Sequence, residues 1–419
     1  MKVWVFQTGE PLHVDGESAR PMRAMNLSNA LLDAGHDVVL WSSDFYHQEK
    51  RHRFGENKVI QQSERLEIRL ISSIGYSKNI GFGRLADHTQ LAINLKRWLR
   101  NETEYPDVAF IGYPPIETAA VLSRWLNQKK IPSLLDIKDQ WPSLFVEGFP
   151  GKIKILAKIA FYPYYYLARH TMKNVSGFST MSQGFMDWAC DFSGRDINNF
   201  DGVFPLTSPL AILTESDLAK ANEWWSNIGI SKDGKSKVCY VGSISPALDF
   251  SHIRIAAEIS KKMNDGIQYI ICGDGGANME VKRMMSGLDN VYFPGWIDKL
   301  KTITLFDMCT AALAPYKNLP SFISSIPNKI FDYLSFGLPI ISSLRGEVQC
   351  LLNEHQVGII YGGTNNLSLH ENILYLIENE AERKKMSERA KALYRDKYTY
   401  ERVYGGLIKH LEMLSCKSG

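Results

Sequence analysis

Short apolar runs alternate with longer segments of helical periodicity along most of the chain. The first half contains six runs typical of buried strands: KVWVFQT, GHDVVLW, LEIRLIS, DVAFIGY, PSLLDIK and SGFSTMS. Six more follow in the second half, at the spacing of roughly 25 residues that strand–helix units require: SKVCYVG, IQYIICG, NVYFPG, CTAALAP, LPIIS and VGIIYG. Helical patterns separate most of these runs, beginning with one over residues 19–34. The alternation predicts an α/β protein with doubly wound parallel sheets and helices on both faces.

One proline-containing segment interrupts this alternation. Residues 200–209, FDGVFPLTSP, carry two prolines and break the pattern. We therefore place a linker there, and we expect one Rossmann-like domain over residues 1–205 and a second over 206–395. Three polar helical segments follow the last predicted strand.

A strong local signal lies in residues 324–341, SSIPNKIFDYLSFGLPII. Ser324 and Ser325 suit a helix N-cap, Pro327 suits the first helical turn, and Gly337 suits a left-handed C-terminal cap. The apolar residues after the glycine indicate a buried strand. The stretch is predicted to form a loop, a helix, a tight turn and a strand.

The start of this predicted helix has the chemistry of a phosphate site. Unpaired amide groups at a helix N-terminus attract anions, and Lys329 adds a cation. Asp332 lies five residues beyond Pro327, which is about 7 Å along the helix axis at about 1.5 Å per residue. That distance suits a carboxylate that accepts hydrogen bonds from the ribose of a nucleotide diphosphate. The sequence therefore predicts a nucleotide-diphosphate site here.

The loop after the first strand, GEPLHVDGESARPMR, is a second candidate binding segment. Parallel sheets bind ligands beyond the carboxyl ends of their strands. Gly16 permits close approach of the backbone, and Arg20 and Arg23 stand where a helix begins. We expect contact with phosphate or an acidic substrate. The alternative is a surface loop whose arginines pair with Glu10 or Asp15.

The fifth strand of the first half ends in a group of charged residues. The segment LLDIKDQWP brings Asp136, Lys138 and Asp139 to its carboxyl end. A carboxylate at this position can act as an acid or base, or can orient a sugar hydroxyl. Asp139 is predicted to touch substrate, with Lys138 on the acceptor side. The alternative is a structural Asp136 and an Asp139 that only caps a turn.

Two turns and a tryptophan in the second half are weaker signals. The turn after SKVCYV contains Gly242, and ICGDGGANMEV contains Gly-Asp-Gly at residues 273–275, but neither is a full dinucleotide or P-loop signature. Trp296 follows a strand in FPGWI, where its backbone groups could bind the edge of a base. Packing of Trp296 in the core is the alternative.

Two basic segments have open interpretations. His47 begins the charged loop 47–53, which either contacts an anionic acceptor or is simply solvated. Residues 151–170 mix three lysines with a dense run of aromatic residues, a composition that suits contact with anionic lipid. A buried aromatic helix with a rim of lysines is the alternative for this segment.

Composition and charge restrict the class of protein. The chain has 419 residues, a net charge of +3 and a hydrophobic content of 45%, so we expect two or three domains and no main role in binding nucleic acid. The six cysteines show no Cys-x-x-Cys spacing, which predicts no metal cluster, no disulfide framework and a reducing cytoplasm. MKVWVFQTG is too short for a signal peptide, and there is no run of about 18 apolar residues to span a membrane.

Taken together, these segments resemble the retaining glycosyltransferases of family 4, which have the two-domain GT-B fold. The resemblance covers most of the chain and rests on the order and spacing of its parts: GHDVVLW, FSTMS, the Gly-Asp-Gly turn, PGWI, PNKIFDYLSFGLPII, GEVQCLL with VGIIY, and YTYERVYGGLIKHLEML. The opening WVFQTGEPLHVDG with RPMRAMNLSNAL is similar to transferases of bacterial O-antigen and capsule assembly. The resemblance implies two Rossmann-like domains that face a cleft.

The family pattern also assigns roles. It implies an N-terminal acceptor domain, a C-terminal domain for the nucleotide sugar, and a last helix, within 396–419, that crosses back to the first domain. Asp332 matches the ribose carboxylate, and Gly16 matches a glycine loop that approaches the β-phosphate. Asp139 occupies the region of an active-site histidine and is our catalytic candidate. The predicted donor-binding residues are Asp332, Lys329, Asn328, Ser325, Ser324, Gly16, Arg23, Gly242, Trp296 and Ile297, and those on the acceptor side are Lys138, Arg20 and His47.

Three departures separate the chain from the family pattern. The family motif has two glutamates, and here those positions hold Ser324 and Asp332. The usual arginine and lysine that neutralise the diphosphate correspond to Ser243 and Leu248. Arg20, Arg23, Lys329 or Arg345 are the candidate replacements. Donor identity and catalytic rate are the properties that these departures affect most.

The combined interpretation is a metal-independent glycosyltransferase that uses a nucleotide-diphosphate sugar, with UDP preferred on family grounds, and needs no cofactor. Its expected acceptor is a polyprenyl-diphosphate-linked saccharide of bacterial surface polysaccharide, and its expected location is the cytoplasm, on the inner face of the plasma membrane. A nucleotide-sugar epimerase and a non-catalytic nucleotide-sugar-binding partner are the alternatives. A dehydrogenase is less consistent, because no G-x-G-x-x-G follows a strand.

Overall fold

The chain forms two compact units. The computed structural model describes residues 1–16, 20–79, 81–147, 149–209, 213–362 and 368–416. Unit 1 comprises Met1–Ser208 together with the segment that begins at Tyr400, and unit 2 comprises Pro209–Thr399.

Unit 1 is an α/β layer structure around one large sheet. Its strands are β1 (Lys2–Phe6), β2 (Asp37–Ser43), β3 (Phe45–Tyr46), β4 (Arg51–His52), β5 (Lys58–Ser63), β6 (Leu66–Ile71), β7 (Val108–Tyr113), β8 (Ser133–Ile137), β9 (Gly177–Thr180) and β10 (Gly202–Val203). Its first helices are α1 (Arg23–Asp33), α2 (Phe82–Arg100), α3 (Ile116–Gln128), α4 (Leu144–Glu147), α5 (Gly151–Ala160), α6 (Tyr162–Asn174) and α7 (Gln183–Ser193), and His13–Asp15 form a 3₁₀ turn.

The large sheet has the order β10-β9-β8-β7-β1-β2-β6-β5, and every pair in it is parallel except β5 with β6. Period-two alternation directs its side chains to two cores: Trp4 and Phe6 enter one, and Val3 and Val5 enter the other. The chain order reverses between β1 and β7. In open parallel sheets such a reversal leaves a crevice beyond the carboxyl ends of the strands, where ligands bind.

Unit 2 has a smaller sheet that is parallel throughout. Its strands are β11 (Lys237–Val241), β12 (Gln268–Cys272), β13 (Val291–Gly295), β14 (Ala311–Ala314), β15 (Ile340–Ser342) and β16 (Gly358–Ile360), in the order β13-β12-β11-β14-β15-β16. Its helices are α8 (Glu215–Asn227), α9 (Ser251–Met263), α10 (Asn278–Met284), α11 (Lys299–Met308), α12 (Pro320–Ile323), α13 (Asn328–Phe336), α14 (Glu347–His355), α15 (Leu369–Glu378) and α16 (Glu380–Leu393), and Tyr394–Tyr398 form a π turn. The chain order reverses between β11 and β14, which predicts the crevice of this sheet.

The last helix, α17 (Tyr400–Cys416), packs in unit 1 against α1. Its buried residues recur at helical spacing, and most of them join the core that contains Val3 and Val5. They are Val403, Tyr404, Leu407, Ile408, Leu411 and Leu414. The Tyr400 hydroxyl donates to the backbone oxygen of Asn26 at 2.8 Å, which ties the start of the helix to α1.

The structure confirms the α/β class, the parallel sheets and all twelve predicted strands, but it adds elements that the pattern did not predict. The β3–β4 hairpin lies partly within the loop 47–53, and β5 is an edge strand whose residues are mostly exposed. Of the helix predicted over residues 19–34, α1 accounts for Arg23–Asp33, and residue 19 lies outside the described part of the chain.

Candidate functional site

Three glycine-containing loops meet at the crevice of unit 2. Gly242 follows β11 at φ +148°, and its amide donates to Cys272 O at 3.0 Å. The Gly273 amide donates to Gly295 O at 2.7 Å, and a Cβ atom on Gly273 would lie 1.9 Å from the Gly242 oxygen. A larger residue at Gly273 would therefore force the loops apart. Glycine at these positions permits close backbone packing at the carboxyl ends of the strands.

Lys329 projects from the start of α13 to this glycine loop. Its Nζ atom donates to the Tyr240 hydroxyl at 2.7 Å and lies 4.1 Å from the centre of the Tyr240 ring and 5.1 Å from that of Tyr316. A Cβ atom on Gly242 would lie 2.7 Å from this nitrogen. Burial lowers the pKa of Lys329 to about 7, although the nearby Asp332 carboxylate acts in the opposite direction. The ammonium is thus held by neutral aromatic groups.

The helix α13 begins later than the sequence indicated. Its N-cap is Pro327, which has no side chain to accept from the first-turn amides, and it ends at Gly337 with φ 70°, as predicted. The prediction of a serine cap is wrong, because Ser324 Oγ donates back to Pro320 O at 3.1 Å and Ser325 Oγ to Phe322 O at 3.3 Å. The intervening turn α12 takes up both serines. Without a capping side chain, the amides at the start of α13 suit an anionic ligand.

The other predicted donor residues of unit 2 lie on α13 or in the loop after β13. Asn328 and Asp332 lie on α13, the helix that carries Lys329, and Asp332 is exposed. Trp296 is 75% exposed directly after Gly295, whose oxygen accepts from Gly273, and Ile297 is buried. Exposure of Trp296 contradicts its alternative role as core filler and leaves an aromatic surface beside the loops.

The two positions at which the family carries cations have other roles here. The Ser243 backbone oxygen accepts from the Tyr240 hydroxyl at 2.6 Å. Leu248 is buried in the core of unit 2 and forms a β-bridge with Tyr316. Arg345 donates to Gly362 O at 2.6 Å. Lys329 is the cation that the structure brings beside Gly242.

The crevice of unit 1 holds a cavity of about 230 Å³. The loops after three strands line it: Thr8, Gly9 and Glu10 after β1, Pro114 and Pro115 after β7, and Lys138 and Asp139 after β8. His47, Tyr76, Arg84, Asp87 and His88 close its other side. The structure thus brings together the predicted residues Asp139, Lys138 and His47.

Asp139 and Lys138 differ in their electrostatic environments. Burial raises the pKa of Asp139 to about 6, against the opposing effects of the Gln140 amide, Arg84 and Lys138. The Lys138 ammonium forms an ion pair with Glu10, whose other oxygen accepts from the Ala24 amide at 2.8 Å. The charge of Lys138 is therefore balanced by Glu10, whereas the pKa of the Asp139 carboxyl is about 6.

Both cavity histidines are neutral at pH 7. The Tyr76 hydroxyl lies 2.5 Å and Lys50 Nζ lies 3.0 Å from His47 Nδ1. The ammonium can only donate, so Nδ1 is the acceptor and the ring proton is on Nε2. Burial, followed by Lys50 and Arg84, lowers the pKa of His47 to about 4, and burial with Arg84 lowers that of His88 to about 3. The sequence analysis missed His88 and Arg84, because helical spacing alone does not distinguish them from other residues of α2.

Three predicted residues of unit 1 do not line this cavity. Gly16 and Arg20 are exposed, with Gly16 at φ +94°. Arg23 is fully buried: its Nε lies 3.4 Å from Asp136, and its guanidinium donates to Phe204 O. This interior position contradicts the predicted donor contact of Arg23. The alternative role of Asp136 as a structural residue is confirmed, since it also accepts from Ser179 Oγ at 2.7 Å.

Two further properties concern metals and membranes. Within the described ranges, no group of three or more His, Cys, Asp or Glu side chains is placed to hold a metal ion. In that same part of the chain, no helix combines the length and the apolar content needed to cross a bilayer. Metal independence stays a prediction.

Comparisons with known proteins agree with this geometry. Residues 223–393 match the family model described as glycosyl transferases group 1. This match covers most of unit 2. A comparison with curated protein sequences finds no match.

Solved structures extend the likeness to both units. Sucrose-phosphate synthase from Thermosynechococcus elongatus superposes with a TM-score of 0.71 at 14% identity, over 99% of each chain. Anabaena HepE in complex with UDP-glucose gives 0.64 at 14% identity, over 99% of this chain and 100% of HepE. WaaG, a glycosyltransferase of lipopolysaccharide biosynthesis, gives 0.63 at 12%, over 98% and 99%. The protein has the GT-B fold.

Proposed function

We propose that the protein is a glycosyltransferase that moves a sugar from a nucleotide diphosphate, with UDP as the preferred nucleotide, to a hydroxyl of an acceptor. The observation that carries this proposal is the close approach of Lys329, at the start of α13, to Gly242 in the loop after β11. Both residues lie within the segment that matches group 1 transferases. HepE, which has the same fold, was solved with UDP-glucose, and this supports UDP.

The geometry of unit 2 suits a leaving diphosphate. Transfer breaks the bond between the anomeric carbon and a diphosphate oxygen, and the electron pair leaves with the nucleotide. The amides at the start of α13 and the Lys329 ammonium stabilise that charge, an electrostatic contribution that costs no reorganisation of solvent. Asp332, exposed on the same helix, accepts hydrogen bonds from the ribose hydroxyls.

Unit 1 supplies the acceptor side of this proposal. Asp139 accepts a hydrogen bond from the attacking hydroxyl and is mostly ionised above its pKa of about 6. The new bond joins that hydroxyl oxygen to the anomeric carbon. Its proton passes to Asp139 or to the departing diphosphate oxygen. The resemblance to family 4 supports retention of the anomeric configuration.

A surface of unit 1 supports action at a membrane. We define the α5 patch as the large apolar residues of and around α5 and α6 that are 41–66% exposed: Phe149, Ile153, Ile155, Leu156, Ile159, Tyr162 and Tyr166. Lys152, Lys154 and Lys158 lie on the same helix. Exposed apolar side chains flanked by lysines suit the headgroup region of an anionic bilayer.

This surface favours a lipid-linked acceptor at the cytoplasmic face of the plasma membrane, in line with the resemblance to O-antigen and capsule transferases. Sedimentation with phosphatidylglycerol vesicles tests the docking. The double variant Ile155→Ser/Leu156→Ser is expected to lose about ten-fold or more in binding, because each side chain buries apolar area in the bilayer. Met279→Ser, an equally exposed apolar position of unit 2, is the control. Equal binding of the double variant and the control would exclude the α5 patch as the docking surface.

Turnover is the test of the enzymatic proposal. Purified protein with anionic vesicles and a lipid extract containing polyprenyl-linked saccharides is incubated with UDP-sugars, and release of UDP is measured. We expect release with one of the sugars and loss of release in Lys329→Met. Lys232→Met, an exposed lysine of unit 2 whose Nζ pairs with Asp307, is the control.

One observation favours a second candidate function. Ser243 and Leu248 replace two cations of the family pattern, and Leu248 is a core residue that contributes no charge. A non-catalytic nucleotide-sugar-binding partner of another transferase needs less stabilisation of a leaving group. UDP binding without release of UDP from any sugar nucleotide in the turnover assay would support this function over the enzymatic one.

A further inference from the structure

We propose that the unit 1 cavity binds a single uncharged sugar ring of the acceptor, held by Asp139, Arg84 and the two cavity histidines. This proposal rests on the proposed function, because it assigns the acceptor class of the same enzyme. The cavity lies where the order of the strands reverses between β1 and β7, the position at which open parallel sheets bind ligands.

The charges on the cavity wall nearly cancel. Lys138 is paired with Glu10, and Asp87 accepts from the Gly75 amide at 2.7 Å. Arg84 is opposed by Asp139, whose carboxylate it helps to keep ionised, and Asp87 also lines the cavity. Neither histidine carries a charge at pH 7. A diphosphate or a sugar acid would find no surplus cation among the lining side chains, and Lys50, 3.0 Å from His47 Nδ1, is outside that lining. An uncharged ligand meets no penalty for unpaired charge.

The polar atoms of the wall suit hydroxyl groups. Within the described part of the chain, Gln7 Oε1 and Arg84 Nε are buried lining atoms without a hydrogen-bond partner, and His88 Nδ1 lies 3.8 Å from Glu117 Oε2. The His47 ring presents Nε2–H as a donor, since Nδ1 is already occupied. Asp139 adds an acceptor. Because each sugar hydroxyl both donates and accepts, one ring can satisfy such a mixed set, and buried polar groups left unpaired are costly.

Size and apolar surface point to the same ligand. The volume of about 230 Å³ is below the range of about 300–1,000 Å³ that drug-sized ligands occupy, so a monosaccharide fits better than a longer saccharide or a lipid tail. Phe45, Leu91 and Met22 contribute apolar groups to the wall. The C–H faces of a pyranose can pack against such groups while its hydroxyls reach the polar atoms.

A chain of aromatic rings joins the cavity to the α5 patch. The His88 and Trp141 rings are 5.9 Å apart, those of Trp141 and Phe145 are 4.7 Å apart, and those of Phe145 and Phe161 are 5.1 Å apart. Phe161 directly precedes Tyr162 of the patch. The cavity and the proposed lipid surface are thus neighbours within one unit. A sugar linked to a lipid can occupy the cavity while its lipid stays in the bilayer.

Saturation-transfer NMR on the full chain tests this assignment. The probes are methyl glycosides of glucose, galactose, mannose, rhamnose, N-acetylglucosamine and N-acetylgalactosamine, compared with methyl glucuronide and with inorganic pyrophosphate, each with and without UDP. We expect saturation of at least one neutral glycoside. In Asp139→Asn we expect its dissociation constant to rise about ten-fold or more, because a hydrogen bond to a charged group is lost. Asp187→Asn, an exposed carboxylate of α7, is the control.

The outcomes separate this inference from the proposed function. One outcome would overturn the neutral-sugar assignment: no neutral glycoside is saturated, glucuronide or pyrophosphate is, and Asp139→Asn strengthens that signal. Absence of saturation by every glycoside would also overturn it. UDP affinity, measured on the same samples, reports on unit 2 separately. Unchanged UDP binding in Asp139→Asn shows that unit 2 and its donor site are intact. A lack of UDP binding in the wild type counts against the proposed donor instead.

Discussion

The Lys329 ammonium lies 2.7 Å from the Tyr240 hydroxyl oxygen, and that hydroxyl donates its own proton to Ser243 O at 2.6 Å. Tyr240 is therefore an acceptor for Lys329 and adds no negative charge. The nearby Asp332 carboxylate favours the ammonium, but burial outweighs it. A cation held by neutral groups beside a glycine loop and a helix N-terminus is suited to an anionic ligand. The proposed nucleotide diphosphate supplies further negative charge.

Gly242→Ala tests the close packing of the glycine loop on Lys329. The added Cβ atom would lie 2.7 Å from Lys329 Nζ, at a φ of +148° that residues other than glycine rarely adopt. We expect a loss of stability of about 1–3 kcal/mol and UDP affinity reduced about ten-fold or more by displacement of the lysine. Thermal unfolding and calorimetric titration with UDP measure the two effects.

Gly229→Ala is the control for backbone strain alone, because Gly229 has φ +80° and a Cβ atom added there would have no neighbouring atom within 4 Å. It is expected to lower the melting temperature without changing UDP affinity. Equal losses of UDP affinity in both variants would contradict a specific contact between the loop and Lys329.

Donor binding is expected to take up a proton at Lys329. Because burial lowers its pKa to about 7, part of the free protein carries a neutral amine above this pH, and a bound diphosphate raises the pKa again. The affinity for UDP-glucose, whose diphosphate does not titrate near pH 7, should fall as pH rises above 7. Titration calorimetry in buffers of different ionisation enthalpy measures the proton uptake.

The lowered pKa of Lys329 also determines how the stability of the fold changes with pH. Between pH 7 and about 10.5 the unfolded chain holds this proton and the folded chain does not, so the Lys329 contribution to stability improves as pH rises. In Lys329→Met, both the proton uptake and this rise should disappear. Proton uptake that persists in the variant would assign it to a different group.

Asp139→Asn is expected to stabilise the fold at pH 7.5 while it impairs transfer. The pKa of Asp139 is raised from 3.8 to about 6, mainly by burial, so the ionised carboxylate reduces stability by on the order of 3 kcal/mol well above pH 6. This difference between the wild type and the variant should vanish below about pH 4, where both side chains are neutral. Melting curves from pH 4 to pH 7.5 measure it, and a difference that does not depend on pH would contradict the raised pKa.

Arg23→Met should destabilise unit 1 by about 3–5 kcal/mol, because Asp136 would be left as a buried charge without its partner. UDP affinity at a temperature where the variant is folded should be unchanged. Adding Asp136→Asn should recover part of the lost stability. A loss of UDP affinity with normal stability would instead restore the donor contact that the sequence suggested for Arg23.

The strands were predictable because buried parallel strands leave apolar runs that local periodicity detects, as in KVCYV of β11. The edge strand β5 was missed since its exposed residues, KVIQQS, carry no such run. The suitability of Lys329 for binding phosphate was also predictable, because it depends only on the residues at the start of one helix. The serine cap failed because the short turn α12 engages Ser324 and Ser325 before α13 begins.

Residues that act through distant partners were not predictable in this way. Tyr240 and His88 have the periodicity of ordinary core residues. The role of Tyr240 depends on Lys329, which the fold brings to it. That of His88 depends on its burial in the cavity wall. Arg23 had the charge and position of a phosphate ligand, but its interior contact with Asp136 depends on the packing of α1 against the sheet that contains β8. Tertiary contacts decide such cases.

The central claim is a nucleotide-diphosphate site in unit 2. It is tested most directly by the thermal stability of the wild type and of Asp332→Ala with UDP, GDP, ADP, TDP and their common sugar derivatives, with Asp307→Ala as an exposed control. A ligand at 100 times its dissociation constant adds about 2.7 kcal/mol of stability. We expect UDP or a UDP-sugar to stabilise the wild type and the control, and the response to be lost in Asp332→Ala. Unchanged melting of the wild type with every nucleotide at millimolar concentration, or an equal response in Asp332→Ala, would contradict the proposed site.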